Sequence, residues 1–402
     1  MLLIECFTDA HVDNISACLR LRPEKLVMVG DGQKMQSAVA IYEKLLKNRG
    51  IATVVTRCDV GGKDLGALCA VFEDLIRNHP DCVVDLTGGD EQVIMAVGAV
   101  AAKLASEGKK NLRVEKYDHE RSVVVDCLDG NREIPAEPVE LTVEELIALH
   151  GGSIPVKTFQ PSQDFDRKQL EPLWNLVAKD PKTWNRRVQQ LNRFESRADS
   201  RTQVYLPLEY LRGVKDFDEN EPAVRELLEE LNSRGVLENR SSAQALYYLY
   251  PNAEIRFCTE KAGNVLEMKT LLEGREVKDG EKPLFHDCRM GACIDWDGVT
   301  QESAGTTNEI DVILMQGTTP LFISCKNGDI PDEELYKLNT VANRFGGPYA
   351  RKMLVVTDLD RKKENSDQAF IQRAEDMGIF LVPEAGKLTP EQWQEKLREA
   401  VK

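Results

Sequence analysis

Along the first 140 residues, short apolar runs alternate with segments whose apolar positions recur at helical spacing. LLIECFT (2–8), KLVMVGD (25–31), IATVVTRCDV (51–60) and CVVDLTGG (82–89) read as buried strands. Between them, helical spacing runs through Val12, Ile15 and Leu19, then through Met35, Val39, Ile41, Leu45 and Leu46, and over 64–78 and 91–105. Two further strands, near 112–117 and 122–127, close the unit. Strands alternating with helices predict a Rossmann-like α/β fold, a parallel sheet covered on both faces with right-handed crossovers.

The pattern then changes. NREIPAEPVE is rich in Pro and Glu, and HGGSIPVKTFQPSQ (150–163) reads as a loop. We therefore expect three parts: an N-terminal unit (1–145), a connector (146–254) and a C-terminal unit (255–402). The connector reads as mostly helical, with a basic, aromatic-bearing stretch, KTWNRRVQQLNRF (182–194), and a helix over 223–235. GVLENRSSAQALYYLYP admits a turn and a wing-like strand, so a winged helix is the weaker alternative to a helical connector whose Arg187 and Arg193 are solvated. The C-terminal unit reads as a second α/β domain. It has a helix over 262–272, a strand over 292–299, and a hairpin of NEIDVILMQ (308–316) and LFISCKN (321–327). A helix (332–346), a strand (352–358), a helix (366–378), a strand (379–384) and a last helix follow. Thr389 with Pro390 next to it marks the start of that last helix.

Composition narrows the function classes. A chain of 402 residues suggests two or three domains, and 42% hydrophobic residues are enough to bury cores. Lys+Arg 52 against Asp+Glu 67 gives a net charge of −15, which argues against a histone-like nucleic-acid binder. It leaves room for an enzyme that meets nucleic acid through a metal ion and a few cations. No run of 18 apolar residues is long enough to span a membrane, and MLLIECFTDAHVDN lacks the basic start of a signal peptide. The expected location is the cytoplasm. Cys6, Cys69, Cys82, Cys127, Cys258 and Cys325 sit in apolar runs and read as small buried hydrophobes. His286, Cys288 and Cys293 lack a second ligand pair, so no zinc site is expected.

The C-terminal hairpin carries the chemistry. Asp311 lies on one strand and Ser324-Cys325-Lys326 ends the next, so Ser324 and Lys326 share a face and the hairpin brings Lys326 toward Asp311. Glu267 sits on the helix before this sheet. Carboxylate oxygens and one main-chain carbonyl suit Mg²⁺ or Mn²⁺. Such an ion polarises a phosphodiester and acidifies a bound water, while a lysine stabilises charge developing on phosphorus. This order resembles the PD-(D/E)XK nuclease superfamily, a restriction-endonuclease-like fold, over roughly 255–402. The resemblance implies Glu267 as the helix glutamate, Asp311 as the strand aspartate and Lys326 as the lysine. Ser324 stands where the pattern has Asp or Glu. The implied metal ligands are then Glu267, Asp311 and the backbone carbonyl of Cys325, with Glu309 or Glu334 supplying the missing charge.

In an open α/β sheet, ligands bind beyond the carboxyl ends of the strands. Three strand ends qualify: Thr8-Asp9-Ala10-His11, Asp31-Gly32-Gln33-Lys34, and Thr87-Gly88-Gly89 with Gln92 beyond it. No Gly-x-Gly-x-x-Gly follows the first strand, which argues against an ordinary dinucleotide cofactor. A Rossmann-like unit with a Thr-Gly-Gly loop, a connector and a PD-(D/E)XK unit together resemble the CRISPR-associated Rossmann-fold (CARF) nucleases of type III CRISPR antiviral defence. That family implies a homodimer, a cyclic oligoadenylate (cyclic tetra-adenylate first) bound across the two Rossmann domains, and cleavage of DNA or RNA with Mn²⁺ or Mg²⁺. Where the family loop often reads Thr-Gly-Gly-Thr-Lys, this chain has Asp90 and Glu91, and Lys34 is the candidate replacement for the phosphate-facing lysine. The alternative is a sensor or nucleic-acid-binding regulator whose C-terminal unit has lost catalysis. Ser324 is the feature in its favour.

Overall fold

The computed structural model describes residues 1–108, 112–155, 157–195, 202–213, 216–298, 307–328, 330–359 and 364–402. The N-terminal unit is built as its alternation predicts: β1 (Leu2–Cys6), α1 (His11–Leu21), β2 (Lys25–Gly30), α2 (Gly32–Asn48), β3 (Val54–Asp59), α3 (Leu65–Asn78), β4 (Val83–Asp85), α4 (Glu91–Ser106), β5 (Arg113–Asp118) and β6 (Val123–Asp126). The sheet order is β3-β2-β1-β4-β5-β6-β7, where β7 is Arg132–Pro135. Strands β1 to β5 are parallel, and β6 and β7 are antiparallel additions. β7 was not expected. Its four residues are exposed on the sheet edge, so its Pro and Glu content fits an edge strand and hides it from a search for buried runs. β4 keeps only three residues of the expected 82–89, and the rest turns into the Gly-Gly loop.

The connecting segment carries α5 (Val143–Leu149), opened by a Thr142/Glu145 capping box. It continues through α6 (Arg167–Lys179), α7 (Pro181–Glu195), β8 (Gln203–Pro207), α8 (Leu208–Leu211), α9 (Phe217–Ser233), β9 (Glu238–Asn239) and β10 (Ala245–Leu249). Its three strands form an antiparallel sheet in the order β8-β10-β9. The segment is therefore not simply helical. From α7 on, its elements succeed one another as helix, strand, helix, helix, strand and strand. Arg187 is half-buried against Glu230 rather than solvated, whereas Arg193 is exposed as expected.

The C-terminal unit runs α10 (Ala253–Glu260), α11 (Asn264–Glu276), a small ribbon of β11 (Lys278–Asp279) and β12 (Lys282–Pro283), β13 (Asp287–Asp295), β14 (Thr307–Gln316), β15 (Thr319–Lys326), α12 (Glu333–Gly346), β16 (Arg351–Val356), α13 (Glu364–Asp376), β17 (Ile379–Val382) and α14 (Pro390–Ala400). The sheet order is β13-β14-β15-β16-β17, antiparallel up to β15 and parallel after it. Thr389 caps α14 as its sequence predicts.

Both faces of this sheet are covered, but by different neighbours. Val312, Leu314, Ile323 and Val355 pack with α11, α14 and the connector's α6, α7 and α9 in one core. Ile313, Met315, Phe322 and Leu354 join α12, α5 and one face of the N-terminal sheet in a second core. A third core lies under α3 and α4. The helix α5 thus fastens the two α/β units together through apolar burial, the main stabilising term in such contacts. All ten cysteines are free thiols, and of the six expected in cores Cys69 and Cys127 are only half-buried.

Candidate active site and candidate ligand loops

The C-terminal site forms where β14 and β15 run side by side. Ile323 pairs with Val312, which places Asp311 opposite Ser324 and leaves Lys326 one pleat further on the same face. Asp311 accepts the Cys325 main-chain N–H at 2.7 Å, the Ser324 hydroxyl at 3.2 Å and the Lys326 ammonium at 3.4 Å. Glu334, in the first turn of α12, accepts from the same two side chains, Ser324 at 2.9 Å and Lys326 at 3.2 Å. The one hydroxyl proton of Ser324 thus lies between two carboxylates, with Glu334 the nearer acceptor. An acid there would have been a third negative charge between them.

Burial lowers the pKa of the Lys326 amine, but Asp311 and Glu334 more than offset that, and the group ends above its ordinary value. It is a fixed cation, suited to stabilising anionic charge and unsuited to act as a base. Glu267 approaches from α11. Its carboxyl is pushed up to about 8, first by burial and then by the charges of Asp311 and Glu309. It makes no hydrogen bond or ion pair among the described residues. A half-buried acid facing two others is a poor place for a bare charge and a good one for a divalent cation. Among the described residues no three His, Cys, Asp or Glu side chains are gathered closely enough to hold a metal. Glu267 and Asp311 are the two acids that meet here, with Lys326 beside Asp311.

The N-terminal loops meet at the point where the strand order reverses, between β1 and β4. Gly88 is packed so closely that an added Cβ would lie 2.5 Å from Thr8 Cγ2 and 3.1 Å from the Cys6 carbonyl. Gly89 adopts φ +102°, a conformation that favours glycine. Lys34 pairs with Asp9 at 2.7 Å, both exposed. Thr8, Asp9, Ala10, Lys34 and the Gly-Gly loop therefore do share one rim, with Gln92 exposed on the first turn of α4.

Other expected residues are turned elsewhere. The Asp31 carboxylate accepts the N–H groups of Gln33 and Lys34, and Asp59 accepts that of Gly32, so the first turn of α2 is already satisfied by acids. The Thr87 hydroxyl donates to Asp85 and accepts the Tyr117 N–H. The His11 ring faces inward, with Nδ1 at 2.8 Å from the Tyr42 hydroxyl and its centroid 5.7 Å from that of His150. Sequence reading missed Asn14, whose amide clamps both main-chain groups of Thr8 (2.9 and 2.7 Å) and also donates to Tyr42. Its spacing six residues past Thr8, across a loop-to-helix junction, carries no periodic signal.

The two sites are joined by packed side chains. Tyr349, just past α12, donates to Asp13 of α1 at 2.6 Å, and His119 lies 3.2 Å from the same carboxylate. His150, at the end of α5, packs against Gly347 at the far end of α12 from Glu334.

No family model matches the sequence, and no curated protein does. Solved structures do. Protein VC1899 from Vibrio cholerae is 17% identical, with a TM-score of 0.71 over 100% of this chain and 97% of that one. Can2 from Sulfobacillus thermosulfidooxidans, solved in complex with cyclic tetra-adenylate, is 15% identical, with a TM-score of 0.66 over the same shares. The chain has the fold of Can2. The N-terminal parallel-rich sheet, the connector and the separate C-terminal sheet are thus one architecture shared from end to end. A type III CRISPR defence DNA nuclease activated by cyclic oligoadenylate is matched more weakly, with 15% identity and a TM-score of 0.49 over 89% of this chain and 45% of that one. No helix among the described residues is long and apolar enough to cross a membrane.

Proposed function

We propose that this protein is a metal-dependent nuclease of type III CRISPR defence, switched on by a cyclic oligoadenylate bound at the β1/β4 loops. The observation that carries the reading is the convergence of Glu267, Asp311 and Lys326, from three separate elements, around one buried, charge-rich point. Glu267, Asp311 and the Cys325 carbonyl would hold Mn²⁺ or Mg²⁺, and such an ion supplies an acidified water and a Lewis acid for the phosphodiester. Lys326 offers its proton-bearing amine to charge developing on the phosphoryl oxygens. Ser324 and the Cys325 N–H hold Asp311 in place, and Glu334 holds Lys326. Cyclic tetra-adenylate is the first activator to try, because Can2 binds it. A two-fold ring suits a dimer, and Ile94 and Met95, 38% and 58% exposed on α4 beside the Gly-Gly loop, offer an apolar face for a second copy. Activation requires the ligand to bind the cutting arrangement better than the resting one. The Asp13–Tyr349 contact ties α1, just past the Thr8 loop, to the end of α12.

The test is cleavage of labelled DNA and RNA with Mn²⁺ or Mg²⁺, with and without cyclic tetra- and hexa-adenylate. Ligand-dependent cutting that disappears in Asp311→Ala is the expected result, and cutting untouched by that substitution overturns it. The second reading, a sensor without catalysis, is favoured by Ser324 in place of an acid. It predicts ring binding with no cutting under any metal.

A further inference from the structure

α7 was read as a basic stretch, and the fold places it beside the candidate catalytic lysine. Asn327, next after Lys326, donates its amide to Asn185 Oδ1 at 2.7 Å, while the Asn185 amide donates to the Asn327 carbonyl. Trp184 donates from its indole N–H to the Ala262 carbonyl at 3.1 Å, and Asn192 donates to the Glu260 carbonyl at 2.5 Å. The helix is thereby fixed against two loops. One leads into Glu267 and the other leaves Lys326.

Between α7 and these loops lies an open groove of about 610 Å³. Lys182, Arg186 and Gln189 line it from α7, and Lys261 lines it from the other wall, with Glu260 the acid among them. Lys182, Arg186, Gln189 and Arg193 are exposed and recur at spacings of four, three and four, which is one helix stripe. Arg187, next to Arg186, is turned away onto Glu230. On a chain of net charge −15, a cationic and amide-rich groove that reaches Gly328, two residues past the candidate lysine, is distinctive.

We propose that this groove holds the sugar-phosphate backbone of the substrate strand flanking the bond to be cut, with Lys182, Arg186 and Lys261 on phosphates and Gln189 on phosphate or sugar oxygens. The proposal rests on the nuclease reading above and adds where the strand lies. The middle module is then part of the substrate site, and the connector sets the strand's direction relative to Lys326. Phosphate contacts fix register without reading sequence, so weak base preference follows.

The test uses the full chain carrying Asp311→Ala, with Mn²⁺ and cyclic tetra-adenylate, and fluorescently labelled single-stranded DNA and RNA of one sequence. Adding Lys182→Glu with Arg186→Glu should weaken binding about tenfold or more, and the slope of log affinity against log salt should shrink by about 1.5. The arm with the larger loss names the natural strand. Lys44→Glu with Lys47→Glu, on the exposed side of α2, makes the same charge change far away and should leave binding as it was. A melting curve for each variant checks folding. Equal binding and equal slope in the α7 variant overturn the groove, as does equal loss in the α2 control. The two readings fail separately. A parent protein without Asp311→Ala that binds through α7 but never cuts removes the nuclease reading. One that cuts equally with and without the α7 changes removes the groove.

Discussion

The two strand-end sites of this protein are built on opposite electrostatic terms. At the β1/β4 loops the ionic groups are exposed and already satisfied: Lys34 by Asp9, and the Asp31 and Asp59 carboxylates by main-chain N–H groups. At the β14/β15 site the ionic groups are largely buried and imbalanced, with Glu267 pushed up to about 8 by burial and by Asp311 and Glu309. Exposed pairs are screened and rearrange at little cost, whereas buried charges keep their strength and geometry. The first arrangement suits a surface that reorganises around a ligand, and the second suits chemistry that must be preset.

The sharpest attempt to break this contrast is removal of the preset charges. Asp311→Ala or Lys326→Ala should lower cleavage by about 10³-fold, in line with loss of a preorganised electrostatic group, while calorimetry shows cyclic tetra-adenylate binding unchanged. Cutting at the ordinary rate would end the assignment of both residues. On the other side, Gly88→Val forces a side chain into Thr8 and the Cys6 carbonyl. It should weaken ring binding and destabilise the fold by about 1–3 kcal/mol, without changing Mn²⁺ affinity. Unchanged activation would refute the loops as the ligand site.

Titration sharpens the comparison further. The folded-state pKa of Glu267 is raised, so its contribution to stability is full below the unfolded value of about 4.5 and is lost as pH rises through 8. In a chelator, Glu267→Gln should therefore melt higher than the parent above about pH 8, with the gap closing toward pH 5. Mn²⁺ should raise the melting point of the parent alone. His150 behaves in the opposite sense. Burial first, with smaller pushes from His11 and Arg344, lowers it to about 4. Its contribution is present above 6.5 and is lost as pH falls toward 4, so His150→Phe should flatten the acid limb of a stability curve in that window. The smallest effect is Lys34→Ala. Loss of its exposed pair with Asp9 should leave the melting point nearly unchanged, and a drop in ring affinity is the measurement that separates a ligand contact from a surface pair.

Much of the fold was legible because periodicity is local. The five parallel strands, their helices and the β14–β15 hairpin all follow from apolar spacing. β7 escaped because an exposed edge strand of Arg, Glu and Pro carries no buried run. β8 of the connector escaped because two helices separate it from its partner β10, and their pairing is not encoded in either strand. The trio Glu267, Asp311 and Lys326 was legible because strand alternation and a short turn fix where two of its members point.

The sequence alone determined which residues can be ionic or apolar and in what local rhythm, and from this the α/β order and the acid–lysine hairpin follow. Tertiary structure decided the rest. It set Glu334 across Ser324 from Asp311, turned His11 toward Tyr42 and His150, and seated α7 beside Lys326 through Asn185 and Asn327. The reason is physical: burial, charge balance and pairing between residues far apart in the chain exist only once distant elements are packed together.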